Sequence, residues 1–263
     1  MIAVIGAGKM GEALISGLLK AGASPDDVLI TERYEARAQE LTQRYGVKAV
    51  TNTEAAKLAD TLVVAVKPQD MDALLAELST SVTPDRLIVT IAAGVPTSTL
   101  EKRLVEGVPV VRVMSNTPAL VGEAMSAVAA GAHAKEEHLE RAEDIFRPVG
   151  KVIRLPESQL DAVTALSGSG PAYVFYLVEA MTDAGILLGL PRSVAHDLIV
   201  QTVVGAGAML RDSGEHPVTL REAVTSPAGT TIAAIRELEN HGVRAAFLAA
   251  LEAARDRSRE LAQ

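Results

Sequence analysis

The sequence predicts an α/β protein in which an N-terminal parallel sheet is followed by an all-α C-terminal region. Three observations lead there. Short apolar runs alternate with helical patterns through the first half of the chain, and a glycine-rich turn follows the first of those runs. After Pro156 strand patterns cease, and long Ala-, Leu- and Val-rich helical stretches take over. The 263 residues, 48% hydrophobic and 22% charged, suffice for one large domain or two smaller ones with real cores.

Strands are expected at Ile2–Ile5, Val28–Thr31, Thr61–Val66, Leu87–Ile91 and Val110–Met114, with weaker patterns at Ala127–Ala129 and Lys151–Arg154. Helical patterns fill the gaps at Glu12–Ala21, Glu35–Tyr45, Thr53–Leu58, Met71–Leu78, Pro96–Leu104 and Glu136–Phe146. Strands alternating with helices mean right-handed βαβ crossovers and a parallel sheet. A ligand then belongs at the carboxyl ends of the strands. The strands expected there end in small or polar residues: Gly6–Gly11, Glu32–Arg33, Lys67–Pro68, Ala92–Gly94 and Ser115–Pro118. One sheet would bring these edges to one crevice.

The first edge is the most informative. Ile2–Ile5 runs straight into Gly6-Ala7-Gly8-Lys9-Met10-Gly11, and an acidic residue, Glu32, follows the next apolar run. Gly6 permits the tight turn, Gly8 lets a pyrophosphate approach the backbone, and Gly11 lets the helix pack on the sheet. This context predicts a Rossmann-type dinucleotide site, the other reading being a purely structural glycine turn. Glu32 and Arg33 pull in opposite directions, the carboxylate toward a ribose 2′-hydroxyl (NAD) and the guanidinium toward a 2′-phosphate (NADP). The residues alone leave that choice open. Lys67 could meet phosphate or ribose oxygens, or be a solvated surface lysine.

Several function classes are disfavoured. The net charge of −8 does not suit nucleic acid. The absence of cysteine removes thiolate chemistry and Cys-ligated metal. The five histidines show no ligand spacing, so no metal is expected. With Ile2 opening a strand, no signal peptide is expected. The apolar stretch Val174–Leu190 carries Glu179 and Asp183 and is short for a bilayer. A cytoplasmic protein is expected.

Beyond residue 155, where a domain boundary is placed, helices are expected at Glu157–Leu166, Ala172–Leu188, Val194–Asp212, Leu220–Val224, Thr230–Asn240 and Arg244–Gln263. The Val194–Asp212 pattern is apolar or small on nearly every face, and such a helix must be buried all round. About 105 residues offer little interior for it, so a second subunit is expected to supply the cover. Ser167-Gly168-Ser169-Gly170-Pro171 reads equally as a plain helix start or as a substrate-lining turn. Ser226-Pro227-Ala228-Gly229-Thr230-Thr231 also has two readings: a carboxylate cradle built from helix N–H groups, or a simple N-cap. From Val152 to Gln263 there is no lysine. A general-base lysine, as oxidation of β-hydroxy acids on this architecture uses, is thus missing, and an imine is favoured as hydride acceptor.

The chain resembles pyrroline-5-carboxylate reductases from end to end. The likeness rests on Gly6–Gly11, Ala65-Val66-Lys67-Pro68, Ala92-Ala93-Gly94, Asn116-Thr117-Pro118, Leu166–Tyr173, Asp183-x-Gly185, Gly189–Arg192 and Val224–Thr231. The family's usual Pro-Gly-Gly step reads Pro227-Ala228-Gly229 here, a departure that matters if residue 228 needs positive φ. The resemblance implies an NAD(P)-binding Rossmann domain at 1–155 and a helical dimerisation and substrate domain at 156–263. It implies NADP, or NAD, as coenzyme, and dimers that assemble further into decamers. The pyrophosphate would lie on Gly6 to Gly11, and the adenosine end on Glu32, Arg33 and Asn52. The nicotinamide half would lie on Ala65, Val66, Lys67 and Pro68 with Ala92, Ala93 and Gly94. The substrate carboxylate would rest at Ser226 and on the N–H groups of Gly229, Thr230 and Thr231, with the Thr231 hydroxyl as the catalytic hydrogen-bond partner of the ring nitrogen. Alternatives are a related imine or hydroxy-acid reductase, or a nucleotide binder without turnover.

Overall fold

The computed structural model describes residues 1–261. Its elements, in chain order, are β1 (Ile2–Ile5), α1 (Lys9–Lys20), β2 (Val28–Thr31), α2 (Glu35–Tyr45), β3 (Lys48–Ala49), α3 (Asn52–Leu58) and β4 (Thr61–Val64). There follow α4 (Met71–Leu78), β5 (Leu87–Thr90), α5 (Thr97–Glu101), β6 (Val110–Met114), β7 (Ala124–Ala130), α6 (Glu136–Phe146), β8 (Gly150–Arg154) and α7 (Leu160–Val163). Five longer or outlying helices complete the chain: α8 (Gly170–Leu187), α9 (Arg192–Asp212), α10 (Pro217–Ala223), α11 (Thr230–Asn240) and α12 (Val243–Leu261).

The strands form one eight-stranded sheet in the order β3-β2-β1-β4-β5-β6-β7-β8. β1 pairs in parallel with both β2 (Ile2 beside Val28) and β4 (Ile2 beside Thr61), so the strand order reverses direction at β1. That reversal is where open α/β sheets leave a crevice. Continuous Val, Ile and Leu runs fill these central strands, and β2, β4 and β5 are buried at every position. Helices on both faces require such runs. Side chains from α1 (Leu14), α6 (Ile145, Phe146) and the strands Val63, Val89 and Val113 close one face. α4 (Leu74, Leu75, Leu78) closes the opposite face with Leu62 and Ile88.

Local signals set the helix ends. α2 stops at Gly46, whose φ of 73° is left-handed. α3 starts from a capping box in which Thr51 and Glu54 satisfy each other's backbone N–H.

The all-parallel expectation needs a correction. β7 runs antiparallel to β6, with Met114 beside Ala127, and β8 is parallel to β7. The link between β6 and β7 holds only a 3-10 turn at Thr117–Val121, too short for the crossover a parallel partner needs. β3 was not expected, because two exposed edge residues carry no periodicity. The helix expected at Glu157–Leu166 is instead a 3-10 turn, the single turn of α7 and a π-turn at Thr164–Gly168. The last two positions of the helix expected at Arg244–Gln263 lie outside the described residues.

The chain divides into two compact units. One comprises Met1–Ser169 with the end of the chain from Ala254, and the other Gly170–Ala253. The composition change at residue 156 falls inside the first unit, because Leu160 is fully buried there with Ala127 and Ala129. The end of α12 from Ala254 belongs to the same unit, with Ser258 Oγ donating to Asp161 Oδ1 at 2.8 Å.

In the second unit α8 and α9 pack closely. A Cβ on Gly185 would stand 2.7 Å from the Ala195 Cβ. Only Thr182, Ala195 and Ile199 of this unit are buried. The rest of α9 is largely bare in the single chain, as an apolar helix awaiting a second subunit would be. By length and composition alone, α9 is also apolar enough to cross a membrane.

Candidate functional site

The turn from β1 into α1 has the geometry a pyrophosphate needs. Gly6 has φ +85°, and a Cβ there would lie 3.0 Å from Val66 Cγ1 and 3.1 Å from the Ala65 carbonyl. Gly11 is buried, and a Cβ on it would meet the Gly6 oxygen at 2.7 Å. Only glycine fits either position. Gly8 is the opposite case, with nothing within 4 Å of its missing side chain. It is the N-cap of α1 and has no side chain to take up the first-turn N–H groups. Those groups stay available to an anion at the positive end of the helix dipole. Lys9 is exposed, while Ala7 is buried beneath the turn.

At the next strand end, Glu32 Oε1 accepts the Tyr34 N–H at 3.2 Å. Arg33 is 81% exposed and stands 3.9 Å from Asp70, which follows β4. An ion pair so exposed contributes little. The two other arginines on this side are committed elsewhere. Arg37 binds Glu12 and Glu40, and Arg44 donates to Glu12 Oε1 at 2.7 Å. Tyr45 adds a third donor to Glu12 at 2.9 Å. Burial pushes the Glu12 carboxyl up, but these donors outweigh it and hold the group below the usual carboxylate range. The cluster ties the start of α1 to α2 and leaves Arg33 as the exposed cation just past β2. Asn52 opens α3, and its amide donates to Glu77 Oε2 at 2.7 Å, so that amide is already engaged.

Beside the glycine turn lies a cleft of about 210 Å³. Ala65, Val66, Pro68, Ala92 and Ala93 line it together with Met10, Ile91 and Ser115. Sequence reasoning had most of these. Ile91 and Ser115 went unassigned, although both stand at strand ends the alternation had located. Lys67 is exposed and caps the 3-10 turn Pro68–Asp70. Gly94 is buried with φ +72°, and a Cβ on it would lie 3.1 Å from Leu261 Cβ. The Asn116 motif works structurally. Asn116 receives the Met125 N–H and donates to the Ser167 carbonyl at 3.0 Å, fixing the π-turn before α8. A Cβ on Gly168 in that turn would stand 2.4 Å from Met114 Cε, so a side chain there would require Met114 to swing aside.

In the helical unit, the turn Ser226–Gly229 leads into α11 and puts Thr230 and Thr231 in its first turn. One expectation is corrected here. The Gly229 N–H is not a free donor, since it closes the turn onto the Ser226 carbonyl at 3.1 Å. The donors left for a carboxylate are the N–H groups of Thr230 and Thr231, which have no side-chain cap because the N-cap is Gly229. Gly229 also allows close packing, since a Cβ there would lie 2.4 Å from Ser226 Oγ. Ala228, where the family's usual pattern has glycine, has φ +57°. Among the described residues, no group of three or more His, Cys, Asp or Glu could hold a metal.

Comparison with known proteins agrees along the whole chain. The family model "Pyrroline-5-carboxylate reductase dimerisation" matches residues 157–261. The model "NADP oxidoreductase coenzyme F420-dependent" matches residues 1–94. The pyrroline-5-carboxylate reductase of Corynebacterium melassecola is 47% identical over 99% of this chain and 98% of its own. A solved pyrroline-5-carboxylate reductase from Coxiella burnetii superposes with a TM-score of 0.93 at 37% identity, covering 100% of this chain and 98% of that one. The Plasmodium falciparum pyrroline carboxylate reductase, solved with NADP bound, gives 0.89 at 28% identity, again covering 100% and 98%. With a glycine turn built for a dinucleotide and relatives that match from end to end, the chain belongs to the pyrroline-5-carboxylate reductase family.

Proposed function

We infer that this chain reduces 1-pyrroline-5-carboxylate to L-proline with NAD(P)H, the last step of proline biosynthesis. The observation that carries the reaction is the full-length relationship at 47% identity. When bound, the reduced nicotinamide supplies a hydride to the C=N carbon. The ring nitrogen gains a proton, and the products are L-proline and NAD(P)⁺.

We assign the roles as follows. The N–H groups of Gly6 to Gly11, through Ala7, Gly8, Lys9 and Met10, hold the pyrophosphate. Glu32 accepts from a ribose hydroxyl, Arg33 meets a 2′-phosphate, and Asn52 borders the adenosine. Ala65, Val66, Lys67 and Pro68 with Ala92, Ala93 and Gly94 keep the nicotinamide half flat, and the small side chains around the cleft support that. Ser226 and Gly229 shape the substrate cradle. The N–H groups of Thr230 and Thr231 hold the carboxylate, and Thr231 Oγ1 donates to the ring nitrogen as charge shifts there. Orientation supplies much of the rate, since the reacting carbons must be held about 3–3.5 Å apart.

The division into a coenzyme part at 1–155 and a helical dimerisation and substrate part at 156–263 is our functional reading, supported by the family model that begins at residue 157. The bare apolar surface of α8 and α9 supports a homodimer. Assembly of dimers into a decamer and a cytoplasmic setting are the finer parts of the proposal.

Thr231→Ala tests the assignment. It should lower kcat at least about tenfold, the scale of a lost hydrogen bond to a developing charge. The coenzyme KM should stay within about twofold, and Thr231→Ser should restore most of the loss. An unchanged kcat would remove Thr231 from the mechanism.

A further inference from the structure

Among the described residues, Ala228 alone has a positive φ without being glycine. It occupies the third position of the turn Ser226-Pro227-Ala228-Gly229, which the Gly229 N–H closes onto the Ser226 oxygen at 3.1 Å. Proline at the second position of such a turn fits a third residue in the left-handed region. Glycine occupies that region freely, whereas a Cβ is repelled by its own backbone. The neighbouring position cannot take the burden, since a side chain on Gly229 would strike Ser226 Oγ.

Two effects of similar size therefore oppose each other. One turn hydrogen bond favours the closed form, and the alanine at 228 disfavours it. Ser226, Pro227 and Ala228 are all exposed, so little packing reinforces the turn. The turn runs directly into Thr230 and Thr231, the first residues of α11, so its closure fixes how the chain enters that helix.

We propose that Ala228 is a positioning residue that sets substrate affinity by holding the empty turn partly open. The proposal rests on the cradle assignment above. A site competent in only a fraction of molecules binds more weakly by that fraction. Ala228 thus raises the KM for the imino acid and leaves the hydride step and the coenzyme untouched.

The test is the series Ala228→Gly and Ala228→Val, compared by steady-state kinetics and coenzyme titration. Ala228→Gly should lower the imino-acid KM at least about twofold and at most about fivefold, a ceiling of about 1 kcal/mol at 1.4 kcal/mol per tenfold. Ala228→Val should raise it. In both, kcat and coenzyme affinity should stay within about twofold. The melting temperature of Ala228→Gly should be no lower than the parent's, because relief of a left-handed alanine offsets the entropy glycine gains when unfolded. An imino-acid KM for Ala228→Gly equal to or above the parent's overturns the proposal. Thr230→Pro, which removes one cradle N–H at the first position of α11, where a helix tolerates proline, separates two failures when run in parallel. If it raises the imino-acid KM while Ala228→Gly has an unchanged KM, only the role of Ala228 falls. If it leaves that KM unchanged, the cradle assignment falls, and the Ala228 proposal with it.

Discussion

In the sheet-bearing unit Leu14, Leu62, Ile88 and Phe146 are fully buried, whereas in the helical unit Phe175, Leu188 and Val204 keep most of their surface exposed within a single chain. Both regions are rich in Ala, Val and Leu. The difference lies in geometry: a twisted sheet with helices on both faces encloses its own apolar side chains, while α8 and α9 packed on each other leave their outer faces open. An apolar groove of about 590 Å³ lined by Val174, Phe175, Val178, Val200, Val203 and Val204, among others, runs along those two helices. Such a surface resembles a domain core cut in half. The first unit carries its core within one chain. The second lies within the stretch that matches a dimerisation family model, and one chain alone leaves its apolar faces open.

Mutations sharpen the contrast in descending order of effect. Phe146→Ala should cost about 4 kcal/mol in denaturant unfolding, the usual loss for a fully buried phenylalanine. That cost should not depend on protein concentration. Val204→Glu should act on association instead. Placing an unpaired carboxylate on a surface that becomes buried costs about 3 kcal/mol, so the dimer should dissociate about a hundredfold more readily in sedimentation experiments. A dimer unaffected by Val204→Glu would mean that this face of α9 is not the shared core.

Coenzyme binding belongs to the self-contained unit and should respond locally. Arg33→Ala should weaken NADP binding about tenfold, the value of a charge-assisted contact to a phosphate, with NAD nearly unchanged. Equal losses for both coenzymes would exclude a 2′-phosphate contact.

The smallest effect concerns the tie between α1 and α2. Because the folded Glu12 carboxyl sits below its ordinary 4.5, its contribution is complete above that value and is lost as pH falls through the lower folded value. Glu12→Gln should therefore lose about 1 kcal/mol at neutral pH. Its thermal stability should also fall less steeply than the parent's on acidification below about pH 4.5. Parallel acid limbs would show that Glu12 does not couple the two helices.

Much of the sheet unit was legible because its signals are local. The expected ranges of β1, β2, β6, α2, α4 and α6 match the structure residue for residue, since each follows from an apolar run or period bounded by turn residues. Gly11 was legible for the same reason, as its close approach to the Gly6 oxygen occurs within the turn itself. Gly6 was legible as part of the motif, although its own close neighbours, Ala65 and Val66, stand just past β4. What escaped depends on neighbours distant in sequence. The reversal at β7 follows from the length of a connection rather than from the strand's own residues. Glu12 gives no hint in sequence that donors 25 to 33 residues away converge on it. The helix start after Gly229 was visible, but the use of its N–H to close the preceding turn was not. The departure at Ala228 was visible as a residue, and only its dihedral gave it physical meaning. The bare apolar surface was legible from the other direction, since α9 is too apolar for the small unit that carries it.

The most direct measurement is the loss of reduced-coenzyme absorbance when the purified protein meets racemic pyrroline-5-carboxylate, once with NADPH and once with NADH, with proline assayed in the product. The account predicts oxidation of the coenzyme with proline formed in equal amount, the ratio of the two rates reporting how far Arg33 outweighs Glu32. Folded, nucleotide-binding protein that oxidises neither coenzyme would contradict it.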